Sequence, residues 1–303
     1  MLSYYLTYLI NNAAIIVIGM LGVYVITGLT GMFSLGQAAF MAVGGYTAGM
    51  LSKFLGWPIW ATLPSAVLAG AFLGFLVGIP VIRLRRDYVA VVSLGFSQAL
   101  VAVLNNSAAI TGGALGLTAI PRYTTKLMIV IALIFIIAII WQLKRSRFGR
   151  QCIAIKVDEL AAASMGINVA RVKLTVFVLA CAISSLAGCL YVHTTSYLDS
   201  ASFGWEQSSM WIIMVYFGGV NSLTGSVLAG LVLTMIPEIF RFSAEWRTVI
   251  YAVIVLIIVN FRPQGLLGET ELDARTIRKI GKAIAALPGS LKKAVTKSGK
   301  EVK

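Results

Sequence analysis

Long apolar runs separated by short Gly-rich or basic segments dominate the chain. The clearest cover residues 9–26, 59–82, 88–104, 127–141, 174–192, 210–220, 227–240 and 249–261. Several approach the roughly 20 residues that a helix needs to cross about 30 Å of hydrocarbon. A Gly-rich stretch at 35–51 reads either as a weaker span or as a broken, re-entrant one. None of the runs alternates at period two, as barrel strands would. Backbone in hydrocarbon must satisfy its own hydrogen bonds, so the runs predict helices. The expected fold is an all-α, polytopic membrane bundle of about nine transmembrane or re-entrant helices. The opening MLSYYLTYLINN lacks a positive n-region, and its apolar run outlasts a signal-peptide core. It predicts a retained span with an outward amino terminus.

Composition strengthens this picture. Of 303 residues, 59% are hydrophobic and 12% charged, about half the charged share of an ordinary soluble domain. A soluble enzyme with a conventional surface is excluded, and disorder does not fit so apolar a chain. Three cysteines, Cys152, Cys181 and Cys189, offer no disulfide framework and no CxxC spacing; they read as small packing residues. The single histidine, His193, removes multi-His metal sites and is expected as a hydrogen-bonded residue at an outer helix end. Trp57, Trp60, Trp205, Trp211 and Tyr251 are expected in interfacial aromatic belts.

The net charge of +14 admits a nucleic-acid binder until its distribution is considered. With the amino terminus outside, 20 of the 25 Lys and Arg fall on the cytoplasmic side. Only Lys53, Arg122, Lys126, Arg241 and Arg247 fall outside. Such a bias orients helices on insertion and predicts an inward carboxyl terminus. The tail, 269–303, carries nine basic and four acidic residues. Ile277, Ile280, Ile284 and Leu287 recur there at helical spacing between Arg278, Lys279 and Lys282. That pattern suits a basic amphipathic helix on anionic membrane lipids, or equally a solvated tail. No recognisable nucleic-acid fold surrounds it.

Chemistry is sparse. No GxxxxGK[ST] string occurs, and Ser298–Gly299–Lys300–Glu301 lacks the first Gly and the hydroxyl. Any ATP and Mg²⁺ chemistry is therefore expected in a partner, and this chain is expected to bind no cofactor or metal. Glu238 is the best candidate for an intramembrane carboxylate, and that scarcity weighs against a proton-driven carrier. Gly-broken helices still leave carbonyl ion sites open. Arg83, Arg85, Arg86 and Asp87 form the only polar cluster that a lipid-directed enzyme could use, and a membrane-anchoring loop is the expected role.

The loop 144–173 is the most informative segment. Asp158 suits an N-cap, Glu159 a first helical turn and Gly166 a C′ position. Between them Leu160, Ala161, Ala163, Ser164 and Met165 predict a short helix with a small, smooth face. Two readings stand, a docking knob for a partner's groove and an ordinary interfacial helix. Glycines recur elsewhere. Gly70, Gly74 and Gly78, at i, i+4 and i+8, predict close helix packing. Ser34, Gly36 and Gln37, and Thr111, Gly112, Gly113 and Gly116, are candidates for a translocation pathway that carries a small, largely neutral solute.

The chain resembles the permease subunits of branched-chain (hydrophobic) amino-acid ABC transporters. The matching strings are GLTGMFSLGQAAFMAVGGYTAG from Gly28, RLRRDYVAVVSLGF from Arg83 and TGGALGLTAIP from Thr111. They continue with SRFGRQCIAIKVDELAAASMGINVARVKL from Ser146, GGVNSLTGSVLAG from Gly218 and FRPQGLLG from Phe261. The resemblance implies a type II importer-like permease domain over 1–268, with 269–303 as a cytoplasmic tail. It also implies the bacterial inner membrane, a sister permease, two cytoplasmic ABC ATPase subunits and a periplasmic solute-binding protein. By the same resemblance Asp158, Glu159, Ala161, Ala162, Met165, Gly166, Ile167 and Asn168 form the segment that couples to the ATPase. Val157 departs from a position commonly acidic in relatives, and Gln37 from one that is often His. Relatives also import urea, short amides or other amino acids.

Overall fold

The computed structural model describes residues 2–84 and 86–239, together with Leu256 and Gly265. Helix α1 (Leu2–Tyr24) runs on into a π-helical turn at Val25–Thr30. Gly31, at φ 69°, ends that turn by returning its N–H to the Thr27 carbonyl. After an irregular stretch come α2 (Gln37–Leu55), α3 (Ile59–Val81), α4 (Arg86–Asn106) and the single turn α5 (Ala108–Thr111). A loop leads to α6 (Lys126–Arg145), α7 (Arg147–Val157) and α8 (Glu159–Ser164). The long α9 (Val169–Thr195), α10 (Trp205–Gly218) and α11 (Leu223–Ile239) follow. Among the described residues the one β feature is an isolated antiparallel bridge between Leu117 and Leu198.

Among the described residues five segments are long and apolar enough to cross a membrane: Thr7–Thr30, Ile59–Val81, Tyr88–Asn106, Lys126–Arg145 and Val169–Thr195. Helix α9 forms the axis of the bundle and packs on α1, α2 and α3. Its closest approaches rest on missing side chains. A Cβ on Gly74 would stand 2.7 Å from Cys181 Cβ, and one on Gly78 2.7 Å from Leu174 Cδ1. At Gly70 it would collide with Ser185, so the i, i+4, i+8 stripe is the α3–α9 contact line, as the spacing predicts. The same stretch of α9 also meets α2: Gly188 lies against the Met41 carbonyl, and Ser185 Oγ donates to Phe40 O at 2.8 Å.

The Gly-rich stretch resolves in favour of a continuous helix. α2 is unbroken, and its hydropathy is modest because neighbouring helices, not lipid, cover most of it. Helices α3, α4 and α6 instead leave large apolar side chains uncovered, among them Phe72, Val91 and Ile134. Trp211 corrects one expectation: it is fully buried in the core rather than in an interfacial belt. Its ring fills the space beside Gly19, where a Cβ would stand 2.7 Å from Cη2. Trp57, Trp60 and Trp205 keep exposed rings. The span expected at 249–261, apart from Leu256, lies outside the described residues with Tyr251, Arg85 and the 269–303 tail, as do the side chains of Arg86, Asp87 and Glu238.

Candidate functional site: a capped loop helix tied to the bundle core

The loop at 144–173 folds as two short helices stacked beneath the bundle. Ser146 begins α7, its Oγ accepting from Gly149 N at 3.1 Å. Cys152 and Ile155 then turn inward. Burial pushes the Cys152 thiol up to about 12, so it stays protonated and unreactive. Asp158 N-caps α8, with Oδ1 accepting from Leu160 N at 2.8 Å and Ala161 N at 3.1 Å. Gly166, at φ 83°, closes its far end. The Gly166 N–H reaches Ala163 O, and the Ile167 N–H reaches Ala162 O. That bond pair is a Schellman cap, and the buried Ala162 with the partly buried Ile167 forms its apolar side. Asn168 then N-caps α9 by accepting from Arg171 N.

Two features make this unit rigid and outward-facing. Glu159 pairs with Lys173 at 2.6 Å, and the Lys173 side chain is only 3% exposed. The pair locks α8 to the second turn of α9. Val157, Leu160 and Met165 meanwhile project with more than four-fifths of their surface free. Three large apolar side chains on a doubly capped, ion-paired turn make an exposed contact surface.

Sequence reasoning missed how this unit reaches the core. Lys156 Nζ, in the last turn of α7, donates to Gly28 O at 2.8 Å and to Asn221 Oδ1 at 2.7 Å. Lys144 Nζ donates to the Asn221 carbonyl and, at 3.5 Å, to Tyr24 Oη. Gly28 lies in the π-turn, where the displaced hydrogen-bond register lets a carbonyl accept from outside. Asn221 lies in the GGVNS turn between α10 and α11. These lysines register in the sequence only as inside-positive charge, because the partners of Lys156 are 128 and 65 residues away.

The pathway candidates separate into two places. Ser34 and Gln37 are fully buried where the π-turn hands over to α2. Gln37 Oε1 accepts from Ser184 Oγ at 3.1 Å, while Gln37 Nε2 and Ser34 Oγ have no partner among the described residues. Ser97 Oγ, one turn along α4 from Ser93, is likewise unpartnered there. A buried polar atom left without any bond costs about 1–3 kcal/mol. Gly36 lies against the Ser93 carbonyl, and Ser93 Oγ accepts from Leu35 N at 2.9 Å. Ser208 Oγ accepts from Ala38 N at 3.0 Å and satisfies the start of α2.

Thr111, Gly112, Gly113 and Gly116 belong to the other end of α4, roughly 18 Å further along its axis at 1.5 Å per residue. Thr111 Oγ1 donates to Leu104 O and Ser107 O, and Gly113 N donates back to Thr111 Oγ1. Leu117 then bridges to Leu198. This segment is internally satisfied and shares no site with Ser34 and Gln37. Among the described residues no cluster of three His, Cys, Asp or Glu could hold a metal. His193 is buried, with Nδ1 2.9 Å from Pro121 O and Nε2 within 3.4 Å of Ser52 Oγ and Thr62 Oγ1.

Comparison with known proteins agrees over the whole bundle. Residues 5–259 match the family described as branched-chain amino acid transport system / permease component. The chain is 32% identical over 287 residues to the high-affinity branched-chain amino acid transport system permease protein LivM of Escherichia coli, covering 82% of this chain and 67% of that one. LivM of Salmonella typhimurium matches to the same extent. The high-affinity branched-chain amino acid transport system permease protein LivH of E. coli is 23% identical over 87% of this chain and 93% of its own. No solved structure matches.

Proposed function

Because the chain belongs to the branched-chain amino acid transport permease family, and so is a multi-pass membrane protein, we propose that it is one of two permease subunits of an ATP-driven importer. The proposed importer moves branched-chain amino acids across the bacterial inner membrane. Its amino terminus faces outward, and its loop 144–173 and carboxyl terminus face inward. A sister permease completes the pathway, two cytoplasmic ATPase subunits supply ATP and Mg²⁺ chemistry, and a periplasmic protein delivers the solute. This chain itself performs no covalent step.

The observation that carries the reading is the α7–α8 unit, capped at both ends, ion-paired to α9 and exposing Leu160 and Met165. Such a unit can sit in a partner's groove and move with it as one body. In the proposed cycle ATP binding draws the ATPases together, and Asp158–Gly166 travels with them. Lys156 and Lys144 carry the displacement to Gly28 and Asn221, at the inner ends of α1 and the α10–α11 pair. The bundle then changes its open side around the Ser34–Gln37 region. An ion-coupled carrier is disfavoured because the five apolar spans contain no Asp or Glu.

Reconstitution tests the reading. Proteoliposomes that contain this chain, its sister permease, the ATPases and the solute-binding protein should accumulate leucine only with ATP. Leucine uptake by the permeases alone, driven by a proton or sodium gradient, overturns it. Uptake of urea or a short amide in place of leucine would retain the mechanism and change the substrate.

A further inference from the structure

The bundle end remote from α7 and α8 holds a cavity of about 320 Å³ whose lining includes Arg122, Lys126, Asn11, Thr7, Thr124 and Thr125. Among the described residues the lining contains two cations, several hydroxyls and no carboxylate. Arg122 Nε donates to Ser196 Oγ at 3.0 Å, and Lys126 Nζ donates to Thr7 Oγ1 at 3.2 Å. Both partners are neutral, and among the described residues neither cation has an ion pair. A guanidinium carries five N–H groups and an ammonium three. Both terminal guanidinium nitrogens and two ammonium hydrogens therefore remain for a ligand.

The wall is firmly held. His193 Nδ1 bonds Pro121 O at 2.9 Å, and the Tyr123 and His193 rings lie 5.4 Å apart. These contacts fix the backbone on both sides of Arg122. Lys126 is the first residue of an apolar span, which sets the cavity at headgroup depth. Ile10 on α1 and Leu127, Ile131 and Ile134 on α6 expose apolar surface alongside it, where acyl chains run. α1 and α6 pack side by side.

We propose that this cavity binds the phosphodiester of an anionic phospholipid, whose acyl chains lie along α1 and α6. Arg122 supplies a planar two-nitrogen fork for the phosphate oxygens, and Lys126 adds a second positive charge. Among the described residues the lining has no carboxylate to receive a headgroup ammonium, which favours phosphatidylglycerol over phosphatidylethanolamine. The proposal rests on membrane insertion alone and stands apart from the transport reading.

The test uses the full-length chain purified in detergent. Phosphatidylglycerol should raise its melting midpoint and slow amide exchange at 121–126, and phosphatidylethanolamine should do neither. Arg122→Gln/Lys126→Gln should weaken apparent phosphatidylglycerol affinity about tenfold or more, since two charge-assisted contacts are lost. Lys53→Gln, at the same end of the bundle but outside the cavity, should leave that affinity unchanged. Equal affinity in the double variant, or equal loss in Lys53→Gln, overturns the proposal. So does an equal shift with inorganic phosphate alone, which would mark a site for free anions. The exchange measurement on the unaltered chain decides the matter if the double variant fails to fold, since absence of protection at 121–126 also overturns it.

Discussion

The Lys156 ammonium lies 2.8 Å from the carbonyl of Gly28, joining the last turn of α7 to the π-turn that ends α1. The same nitrogen holds Asn221 Oδ1 at 2.7 Å, so one side chain gathers three segments far apart in sequence. Hydrogen bonds from a charged donor are worth about 1.5–3 kcal/mol. Lys156→Met keeps most of the stem and removes the donors. In the reconstituted importer its leucine uptake should fall roughly tenfold or more, while ATP hydrolysis continues. Lys156→Arg should recover part of the uptake. An equal loss of hydrolysis and uptake in Lys156→Met, with normal assembly, would refute a linking role.

The Glu159–Lys173 pair allows a stability measurement in which two truncations differ in size of effect. Glu159→Gln leaves a nearly buried ammonium without its carboxylate and should cost about 1–3 kcal/mol, moderated because Glu159 is one-third exposed. Lys173→Met removes the buried charge itself and should cost less. The double variant should therefore be more stable than Glu159→Gln alone. Thermal melting of the purified permease and trypsin cleavage within 144–173 report this order, and a double variant less stable than either single would contradict it.

Gly166→Val addresses the same unit through the backbone. No atom would lie within 4 Å of a Cβ at Gly166, so there is no steric conflict with neighbours. At φ 83°, however, a β-branched residue is strained by about 1–2 kcal/mol, and the Schellman cap should open. Uptake should decouple from ATP hydrolysis with the bundle's melting midpoint little changed. Normal coupled uptake would count against α8 as the coupling element.

Much of this arrangement is legible in the chain itself. The runs at 59–82, 127–141 and 174–192 are apolar on every side, and only a helix surrounded by lipid or protein accommodates that. Asp158 and Gly166 announce their caps because the side-chain oxygen and the absent Cβ act locally. Trp211 is not legible: an aromatic near a helix end looks alike in a belt and in a core, and only Gly19 on another helix distinguishes them. The link from Lys156 to Gly28 is hidden for the same reason, since neither residue carries a local trace of its partner. The hydropathy of α2 misleads in the other direction. Gly44, Gly45 and Thr47 lower it, yet the glycines are what let α9 come close enough to cover the helix.

The glycine contacts predict a graded series. At Gly188 an added methyl meets the Met41 carbonyl, a backbone atom that cannot rotate away. Gly188→Ala should cost about 1–3 kcal/mol or more through overpacking and separate α2 from α9. At Gly70 the clash is with the Ser185 side chain, so Gly70→Ala should be rescued in part by Ser185→Gly, despite the loss of the hydrogen bond to Phe40 O. Gly95, on α4, would have nothing within 4 Å of an added methyl. Gly95→Ala should be neutral or stabilise by about 0.5–1 kcal/mol. Melting midpoints of the three variants in one detergent test the order, and a Gly95→Ala variant as damaged as Gly188→Ala would show that α4 packs against more than these contacts.

Membrane orientation can be tested with thiols, because the three native cysteines are buried and unpaired. With its pKa at about 12, Cys152 holds only about one part in 10⁴ thiolate at pH 8. The sign follows from burial: the neutral thiol is favoured in the folded chain, and reactivity climbs as pH rises toward 12. An introduced Met165→Cys sits at a position where the native side chain is 84% exposed, and it should label within minutes at pH 8. Lys53→Cys, at the remote end of the bundle, supplies the opposite probe. An impermeant maleimide should label Lys53→Cys in right-side-out spheroplasts and Met165→Cys only in inside-out vesicles. The reverse pattern would place loop 144–173 outside the cell, beyond reach of any cytoplasmic ATPase, and would remove the basis for ATP coupling through α8.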